Sequence, residues 1–427
     1  MAKNKHIIID MGSSRISAMA VEILENGEVR VLSEESKKTN EIKYGVVESP
    51  AKCAYTISEL VRLLQNSARL NEMNKACISL NAKTMKGVQV RVRRSLGMGR
   101  LITEQLVEEL LDECEKKFDQ FEVEIFDTIP LSYHLDGVGI DNPVGEKASE
   151  IVAVYNVIVG NVSIKEELKR CFDRTTSISL DGFVPLGMEA LSAVLLEEKD
   201  REEGCALINF GASTTTLAIY RSGALQQLLV VPLGGKNITK DIQELGMSEV
   251  DAERLKQLKG SALKSMVQEL ICIKIPSIDP ENEMLRINTD FLATIIESRL
   301  TEIMTPILKI LVETDFGAEY PIVIAGGGAK LNNLTEFLQE KTGMKVRSGN
   351  HSDWLSADTD SRFFEPVYAQ SIGVALLLHD YLQEHPENTQ SQSTKEPTKG
   401  TNYQKKKFGE KIANIVLRIW EDDDYLK

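Results

Sequence analysis

The order of apolar and polar positions predicts an alternation of strands and helices along the chain. Short apolar runs interrupted by glycine, in residues 6–24 and 204–231, are typical of buried β-hairpins. Apolar residues spaced three or four apart predict amphipathic helices over 52–70, 102–118 and about 290–314. This mixture of elements predicts an α/β fold.

Local signals refine some of these elements. Thr103 is a predicted N-cap, because Leu106, Leu110 and Leu111 then form one apolar face of the helix behind it. Ser248, in the pattern Ser-x-x-Asp, is a predicted start of another helix. Strand-like residues flank the first of these helices, so residues 86–163 are predicted to form a compact strand–helix–strand insert.

Length and composition exclude several classes of protein. A chain of 427 residues with 42% apolar residues can build two or more domains with cores of their own. The net charge of −14 argues against nucleic acid as a partner, which favours a basic surface. Six scattered cysteines without a Cys-x-x-Cys pair suit a reducing compartment and argue against structural zinc. We also expect no signal peptide and no membrane-spanning helix, because no apolar run is long enough.

Two short polar segments each follow a predicted buried strand. They are "DMGSSR" at residues 10–15 and "NFGASTT" at residues 209–215. Glycine lets the backbone approach a phosphate, and successive backbone N–H groups form an anion-binding nest. Additional hydroxyl donors would be Ser13, Ser14, Ser213 and Thr214, and Asp10 would hold a magnesium ion through water. The alternative for each segment alone is a plain hairpin turn, but the matched pair favours phosphate binding.

Two further glycine loops occur downstream. They are "PLGGKNIT" at residues 232–239 and "AGGGAK" at residues 325–330, and we expect the second to open a helix after a buried strand. Each is a weak signal alone, since glycine-rich turns between strands and helices are common.

The order of these glycine motifs resembles that of the actin/Hsp70-type ATPase superfamily and, within it, of the FtsA family of actin-like bacterial division proteins. The resemblance covers nearly the whole chain. The segments most similar to that family are "PLGGKNITKDI", "DAERLKQLKG", "IIESRLTEI", "VIAGGGAKL" and "PVYAQSIG".

The resemblance implies a two-lobed actin-like (ribonuclease H-like) fold with an FtsA-type inserted subdomain, a flexible C-terminal tether and an amphipathic helix. The resemblance implies that subdomain 1A contains residues 1–85, 164–203 and 351–382, with the inserted subdomain 1C at 86–163. Subdomain 2A would contain residues 204–235 and 311–350, with subdomain 2B at 236–310. The linker would be 383–404 and the membrane-targeting helix 405–427.

The resemblance also implies an ATP and Mg²⁺ site. The first phosphate loop would contain Gly12, Ser13 and Ser14, and the second Gly211, Ser213 and Thr214. Gly234 and Gly235 would approach the nucleotide, Glu253 and Lys256 would face the ribose or base, and Gly326, Gly327 and Gly328 would wrap the adenine side. Without the resemblance, Glu253 and Lys256 are simply an exposed pair on a helix.

Asn209 departs from the family pattern, because family members generally carry Asp at this position. An amide can orient a water but adds no charge beside a metal triphosphate. We therefore expect ATP to bind and hydrolysis to be weak at most. The alternative is that Asn209 is only a turn residue.

The last residues are predicted to form an amphipathic helix behind a flexible tether. Residues 383–404 have few large aliphatic side chains and many Thr, Gln, Asn, Ser and Pro residues, as flexible linkers do. Within 405–427 the apolar residues fall in an arc of about 100°, and Trp420 suits an interface. The apolar residues are Phe408, Ile412, Ile415, Val416 and Ile419. This profile favours a membrane anchor over a helix docked on the body of the protein.

The implied function is that of a scaffold with an ATP-dependent switch at the cytoplasmic face of the bacterial inner membrane. It would polymerise, tether a filament of an FtsZ-like tubulin homologue to the lipid at the division site, and recruit later division proteins. The partner surface would lie within about 236–310. The alternatives are a superfamily sugar or acetate kinase and another actin-like scaffold of the pilus-assembly or shape-determining type.

Overall fold

The computed structural model describes residues 4–68, 73–175, 178–180, 183–279, 283–314 and 316–385. The described helices are α1 (Pro50–Ala68), α2 (Glu104–Lys116), α3 (Ser163–Phe172), α4 (Gly187–Leu195), α5 (Glu198–Glu203), α6 (Gly235–Gln243), α7 (Glu249–Lys259), α8 (Thr289–Glu313), α9 (Leu334–Thr342) and α10 (Ala369–Glu384). None of these is both long and apolar enough to cross a membrane. The predicted amphipathic helix at 405–427 lies outside the described residues, as does the predicted tether from residue 386 onward.

The strands begin with the amino-terminal sheet, β1 (Lys5–Met11), β2 (Arg15–Ile23) and β3 (Val29–Lys38). They continue with β4 (Ile42–Lys43), β5 (Val46–Val47), β6 (Lys75–Ala76), β7 (Lys86–Leu101), β8 (Glu124–Leu135), β9 (Val138–Ile140), β10 (Lys147–Gly160) and β11 (Ser179–Leu180). The second half contributes β12 (Cys205–Phe210), β13 (Thr215–Arg221), β14 (Ala224–Val231), β15 (Cys272–Pro276), β16 (Met284–Asn288), β17 (Ile322–Ala325) and β18 (Val346–Ser348).

One strand order occurs twice in the chain. In the first half, β1, β2 and β3 are antiparallel, and Cys77, which follows β6, exchanges backbone hydrogen bonds with Ile7 and Ile9 of β1. In turn, β6 pairs in parallel with β11. In the second half, β12, β13 and β14 are antiparallel, and β17 and β18 extend the sheet in parallel beside β12. The repeat confirms the prediction of a two-lobed α/β fold.

The predicted insert forms an antiparallel sheet in the order β7, β10, β8 and β9. Helix α2 covers one face of it with Leu106, Leu110 and Cys114, and Thr103 caps this helix as predicted, since its hydroxyl accepts a bond from Leu106 N. The sequence did not indicate that β7 also pairs with β14, through Lys86 and Leu229, so that the insert continues the sheet of the second half.

Buried apolar side chains form three cores. One lies between β1–β3 and helices α1, α3, α4 and α10, another between β12, β17 and helices α6–α9, and a third within the insert. Helices α4 and α10 approach so closely that a Cβ on Gly373 would lie 1.8 Å from the Ala190 carbonyl oxygen. Helix α10 ends at Glu384, just beyond the predicted start of the tether at 383.

Candidate functional site

The two predicted phosphate loops meet where their hairpins turn. The Ser213 hydroxyl donates to Ser13 Oγ at 2.6 Å, across 200 positions of sequence. The backbone of the β4–β5 turn closes over them, because Tyr44 N donates to Ser213 Oγ at 3.0 Å and Gly45 N lies 3.5 Å from Ser13 Oγ. The fold therefore brings one hydroxyl from each loop, Ser13 and Ser213, into one cluster.

The first loop follows Met11, the last residue of β1, and Asp10 is the residue before it in the strand. A Cβ on Gly12 would lie 2.8 Å from the Arg15 carbonyl oxygen, so the tightness of this turn requires glycine. Ser14 is exposed, and its carbonyl accepts a bond from Thr39 N. Burial raises the pKa of the Asp10 carboxyl to about 6, and the positive charge of Arg15 acts in the opposite direction.

Asp10 is the carboxylate residue that the sequence predicts to hold a magnesium ion. Within the described ranges, no group of three or more His, Cys, Asp and Glu side chains is arranged to hold a metal. Mg²⁺ keeps several waters and needs only one or two carboxylates when substrate phosphates complete its shell. One carboxylate therefore fits an ion held through water, the role predicted for Asp10.

The second loop is a tight turn between β12 and β13. Gly211 N donates to the Thr214 carbonyl at 2.9 Å, and a Cβ on Gly211 would lie 2.9 Å from that same oxygen. Thr215 and Thr216 are buried, and their hydroxyls donate to a backbone carbonyl and to a side-chain amide. Thr214, next to Ser213, is only partly buried, so its side chain stays accessible, unlike those of Thr215 and Thr216.

The first residues of α6 form backbone hydrogen bonds with the second loop. Gly235 N donates to the Gly211 carbonyl at 2.9 Å, and Lys236 N donates to the Ala212 carbonyl at 2.7 Å. A Cβ on Gly234 would lie 2.6 Å from the Gly211 carbonyl oxygen, so the two backbones approach as closely as glycine allows. The structure thus places Gly234 and Gly235 against the second loop.

Lys256 and Glu253 pack beside Gly235. Lys256 Nζ lies 2.7 Å from Glu253 Oε2 and donates to the Gly235 carbonyl at 3.0 Å and to Thr239 Oγ1 at 2.8 Å. Burial lowers the pKa of Lys256 against the attraction of Glu253. Burial raises the pKa of Glu253, but the charge and hydrogen bond of Lys256, together with bonds from Thr239 and Gln257, outweigh it and lower that pKa. The alternative of an exposed pair is wrong for Lys256, whose side chain is only 13% exposed. Contact with a ribose or base stays a prediction.

Asn209 lies within β12, where it pairs with Thr216 of β13. The alternative of a plain turn residue is therefore wrong. Asn209 is 9% exposed, and its Nδ2 donates to Gln370 Oε1 at 3.4 Å. Gln370 Nε2 in turn donates to Ser79 Oγ at 2.9 Å, so a chain of neutral polar groups links β12 to the first half of the molecule.

The third glycine loop folds over the end of β12. Gly326 has a φ of +84°, and a Cβ there would lie 2.3 Å from Asn209 Oδ1. A Cβ on Gly328 would lie 2.0 Å from Phe210 Cδ1. Gly327 is exposed, and a Cβ on it would lie 4.0 Å from its nearest contact, Val367, so a ligand has room to approach this glycine.

This loop does not open a helix directly, contrary to the prediction. Residues Gly327–Lys330 form a single 3₁₀ turn, and α9 begins only at Leu334. The reason is that successive glycines disfavour a helix, and the residue before α9, Asn333, has a left-handed φ of 61°.

Two further residues of the site, Lys236 and Gln370, were not predicted from the sequence. Lys236 Nζ donates to the Ser13 carbonyl at 2.8 Å, so it reaches from the start of α6 to the first loop. Gln370 accepts the bond from Asn209. Both residues lie inside segments that resemble the FtsA family, "PLGGKNITKDI" and "PVYAQSIG". Their place in these segments was the signal that could have identified them.

Comparisons with known proteins identify two family models that match this chain. The family model described as "Cell division protein FtsA" matches residues 206–373, and the model "SHS2 domain inserted in FTSA" matches residues 82–159. The cell division protein FtsA of Escherichia coli (strain K12) is 25% identical over 395 residues, which cover 88% of this chain and 90% of that protein. The FtsA of Borreliella burgdorferi is 24% identical over 434 residues, which cover 98% of this chain and 100% of that protein.

Solved structures support the fold. The PilM–PilN type IV pilus biogenesis complex contains a chain with a TM-score of 0.62 and 18% identity, over 87% of this chain and 97% of that one. MreB5 of Spiroplasma citri bound to AMPPNP has a TM-score of 0.50 and 13% identity, over 91% of this chain and 99% of that one. At such identities the likeness shows an actin-like fold alone. With both family models matched and full-length relatives of one name, this chain belongs to the FtsA family of cell division proteins.

Proposed function

We propose that this protein binds ATP, polymerises, and anchors an FtsZ-like tubulin homologue to the cytoplasmic face of the bacterial inner membrane at the division site. The observation that carries the nucleotide part is the hydrogen bond of 2.6 Å between Ser213 and Ser13. Through this bond, two glycine loops from separate halves form one anion-binding cluster. The structure of MreB5 bound to AMPPNP supports a nucleotide in this fold.

In this proposal the residues of the two loops hold the phosphates of ATP. Asp10 holds Mg²⁺ through water, and the ion, when bound, neutralises part of the triphosphate charge. Gly327 faces the adenine side, and the pair Glu253 and Lys256 lies toward the ribose or base. Hydrolysis is weak at most, because Asn209 supplies no carboxylate.

The membrane part of the proposal rests on the sequence of residues 405–427. Burial of an apolar side chain contributes roughly 1.5–3 kcal/mol, and ordering of the segment offsets much of that sum. A single copy should therefore bind lipid marginally, whereas a polymer binds through many copies. The proposed division of the chain assigns the FtsZ-like partner to residues 236–310, and the polymer recruits later division proteins.

Sedimentation with lipid vesicles tests the anchor. Full-length protein should pellet with vesicles that contain anionic phospholipid, and deletion of 405–427 should abolish pelleting. Two single changes add the same charge to the same segment. Ile415→Glu lies on the predicted apolar face and should lose binding, whereas Asn414→Glu lies on the polar face and should retain most of it. Undiminished pelleting of the deletion variant would overturn the anchor.

The nucleotide part is tested with the same purified protein. Calorimetric titration with ATP should show saturable binding, and ATP should stay intact through prolonged incubation. Failure of the full-length protein to bind ATP would contradict the nucleotide proposal and leave the anchor untouched.

A further inference from the structure

Lys236 contacts both candidate phosphate loops at once. Its backbone N–H donates to the Ala212 carbonyl of the second loop at 2.7 Å. Its ammonium donates to the Ser13 carbonyl of the first loop at 2.8 Å. The residue is half-buried, so its side chain lies along the cleft in which Ser13 and Ser213 meet.

The Lys236 ammonium differs from its neighbour Lys256 in its surroundings. Lys256, on the next helix, lies 2.7 Å from Glu253. No Asp or Glu side chain in the described part of the chain lies within 4.0 Å of Lys236 Nζ, so no carboxylate there neutralises its charge. An ammonium carries three donors on a flexible stem, and it binds phosphate as a point charge.

The backbone at the start of α6 does not offer this positive charge. The N–H groups of Gly235 and Lys236 already donate to the Gly211 and Ala212 carbonyls. Asn209, in β12, is neutral and also supplies no charge. The Lys236 side chain is therefore a positive group placed between the two loops, with a neutral carbonyl as its partner.

We propose that Lys236 is a phosphate ligand, whose ammonium leaves the Ser13 carbonyl to bind the β- or γ-phosphate of a nucleoside polyphosphate. The inference rests on the proposed ATP binding and names the residue that distinguishes a polyphosphate from a monophosphate. Because Lys236 and Mg²⁺ would neutralise the same phosphates, the contribution of Lys236 is greater when the ion is absent.

Calorimetric titrations of full-length protein with ATP and with AMP, in Mg²⁺ and in EDTA, test this role. Lys236→Gln keeps a donor for the Ser13 carbonyl and removes the charge. It should weaken ATP binding about tenfold or more, since hydrogen bonds to charged groups are the strong ones, and leave AMP binding unchanged. The loss for ATP should be larger in EDTA, and Lys236→Arg should restore most of the affinity.

Lys240→Gln is the matched control, because Lys240 is exposed on the same helix, and it should bind ATP like the parent protein. Lys236→Met gives the same comparison if the Gln variant does not fold, as judged by thermal unfolding. Equal losses for ATP and AMP, or no loss for ATP, would overturn the inference while the parent protein still binds ATP. If the parent protein binds no ATP, the proposed function fails first and the inference with it.

Discussion

Replacement of Asn209 by Asp places a carboxylate in the cleft without a change of shape. The side chain is 9% exposed, and its Oδ1 already occupies the space that a Cβ on Gly326 would need. Its Nδ2 donates to Gln370 Oε1, so the new carboxylate would oppose that oxygen. Rotation of the Gln370 amide resolves the conflict, since Nε2 then donates to the new carboxylate and the Ser79 hydroxyl donates to Oε1.

The Asn209→Asp change should lower the stability of the fold but raise the rate of ATP hydrolysis. Burial of a charge at this position should lower the free energy of unfolding by about 1–3 kcal/mol, because the carboxylate keeps only one strong donor. A carboxylate that acts on the attacking water or the metal in the transition state lowers the barrier by about 2–4 kcal/mol, which raises the rate tens- to roughly thousandfold. The change should therefore raise ATP hydrolysis while it weakens the fold.

Single-turnover release of phosphate from bound ATP is the measurement. The Asn209→Asp variant should release phosphate at least about tenfold faster than the parent protein, and only with Mg²⁺ present. Asn142→Asp provides the control, because it adds the same charge at an exposed position between β9 and β10 and should leave the rate unchanged. Urea unfolding of both variants separates a change in rate from a loss of folded protein.

A parent protein that already hydrolyses ATP as fast as the Asp variant would refute the reasoning. The neutral amide would then be sufficient for hydrolysis, and the departure at Asn209 would carry no functional meaning. Equal acceleration by Asn142→Asp would also refute it, because the effect would then depend on net charge rather than on position.

Two further predictions concern the fold. Burial raises the pKa of Asp127 to about 7 and that of its neighbour Glu189 well above its usual value, so the folded protein holds protons that the unfolded chain releases. The free energy of unfolding should therefore fall as pH rises from about 4 to 7. Asp127→Asn should flatten that slope in urea unfolding, and an equal slope in both proteins would count against the buried pair. A Cβ on Gly373 would lie 1.8 Å from the Ala190 carbonyl oxygen. Gly373→Ala should thus cost about 1–3 kcal/mol or more, whereas Gly139→Ala, which has room, should shift the urea midpoint little.

Periodicity and capping signals predicted the elements because these depend on residues close in sequence. Helix α2 begins where Thr103 predicted it, with Leu106 and Leu110 buried as expected. Ser248 caps α7 through its bond from Asp251 N. Such local rules also placed both phosphate-loop candidates at hairpin turns. The candidate site was therefore predictable as a set of segments.

The contacts that assemble the site join residues far apart in sequence, and no local pattern specifies them. Gln370 follows Asn209 by 161 positions, and Lys236 follows Ser13 by 223. The pairing of β14 with β7 is of the same kind, since it depends on how two cores pack. These contacts arise from tertiary packing, which periodicity does not encode. The place of Lys236 in a segment that resembles the FtsA family was therefore the signal that the sequence offered, and its contact with Ser13 was not predictable.

The polar contacts across the cleft differ in what a bound anion does to them. The Ser213–Ser13 and Gln370–Ser79 bonds join neutral groups, and such bonds contribute only about 0.5–1.5 kcal/mol each. Lys236 is different, because its ammonium bonds a neutral carbonyl and gains more from a charged phosphate oxygen. A polyphosphate therefore competes better for the Lys236 ammonium than for the groups of either neutral bond. Nucleotide binding should accordingly replace the bond between Lys236 and the Ser13 carbonyl and leave the link through Gln370 in place.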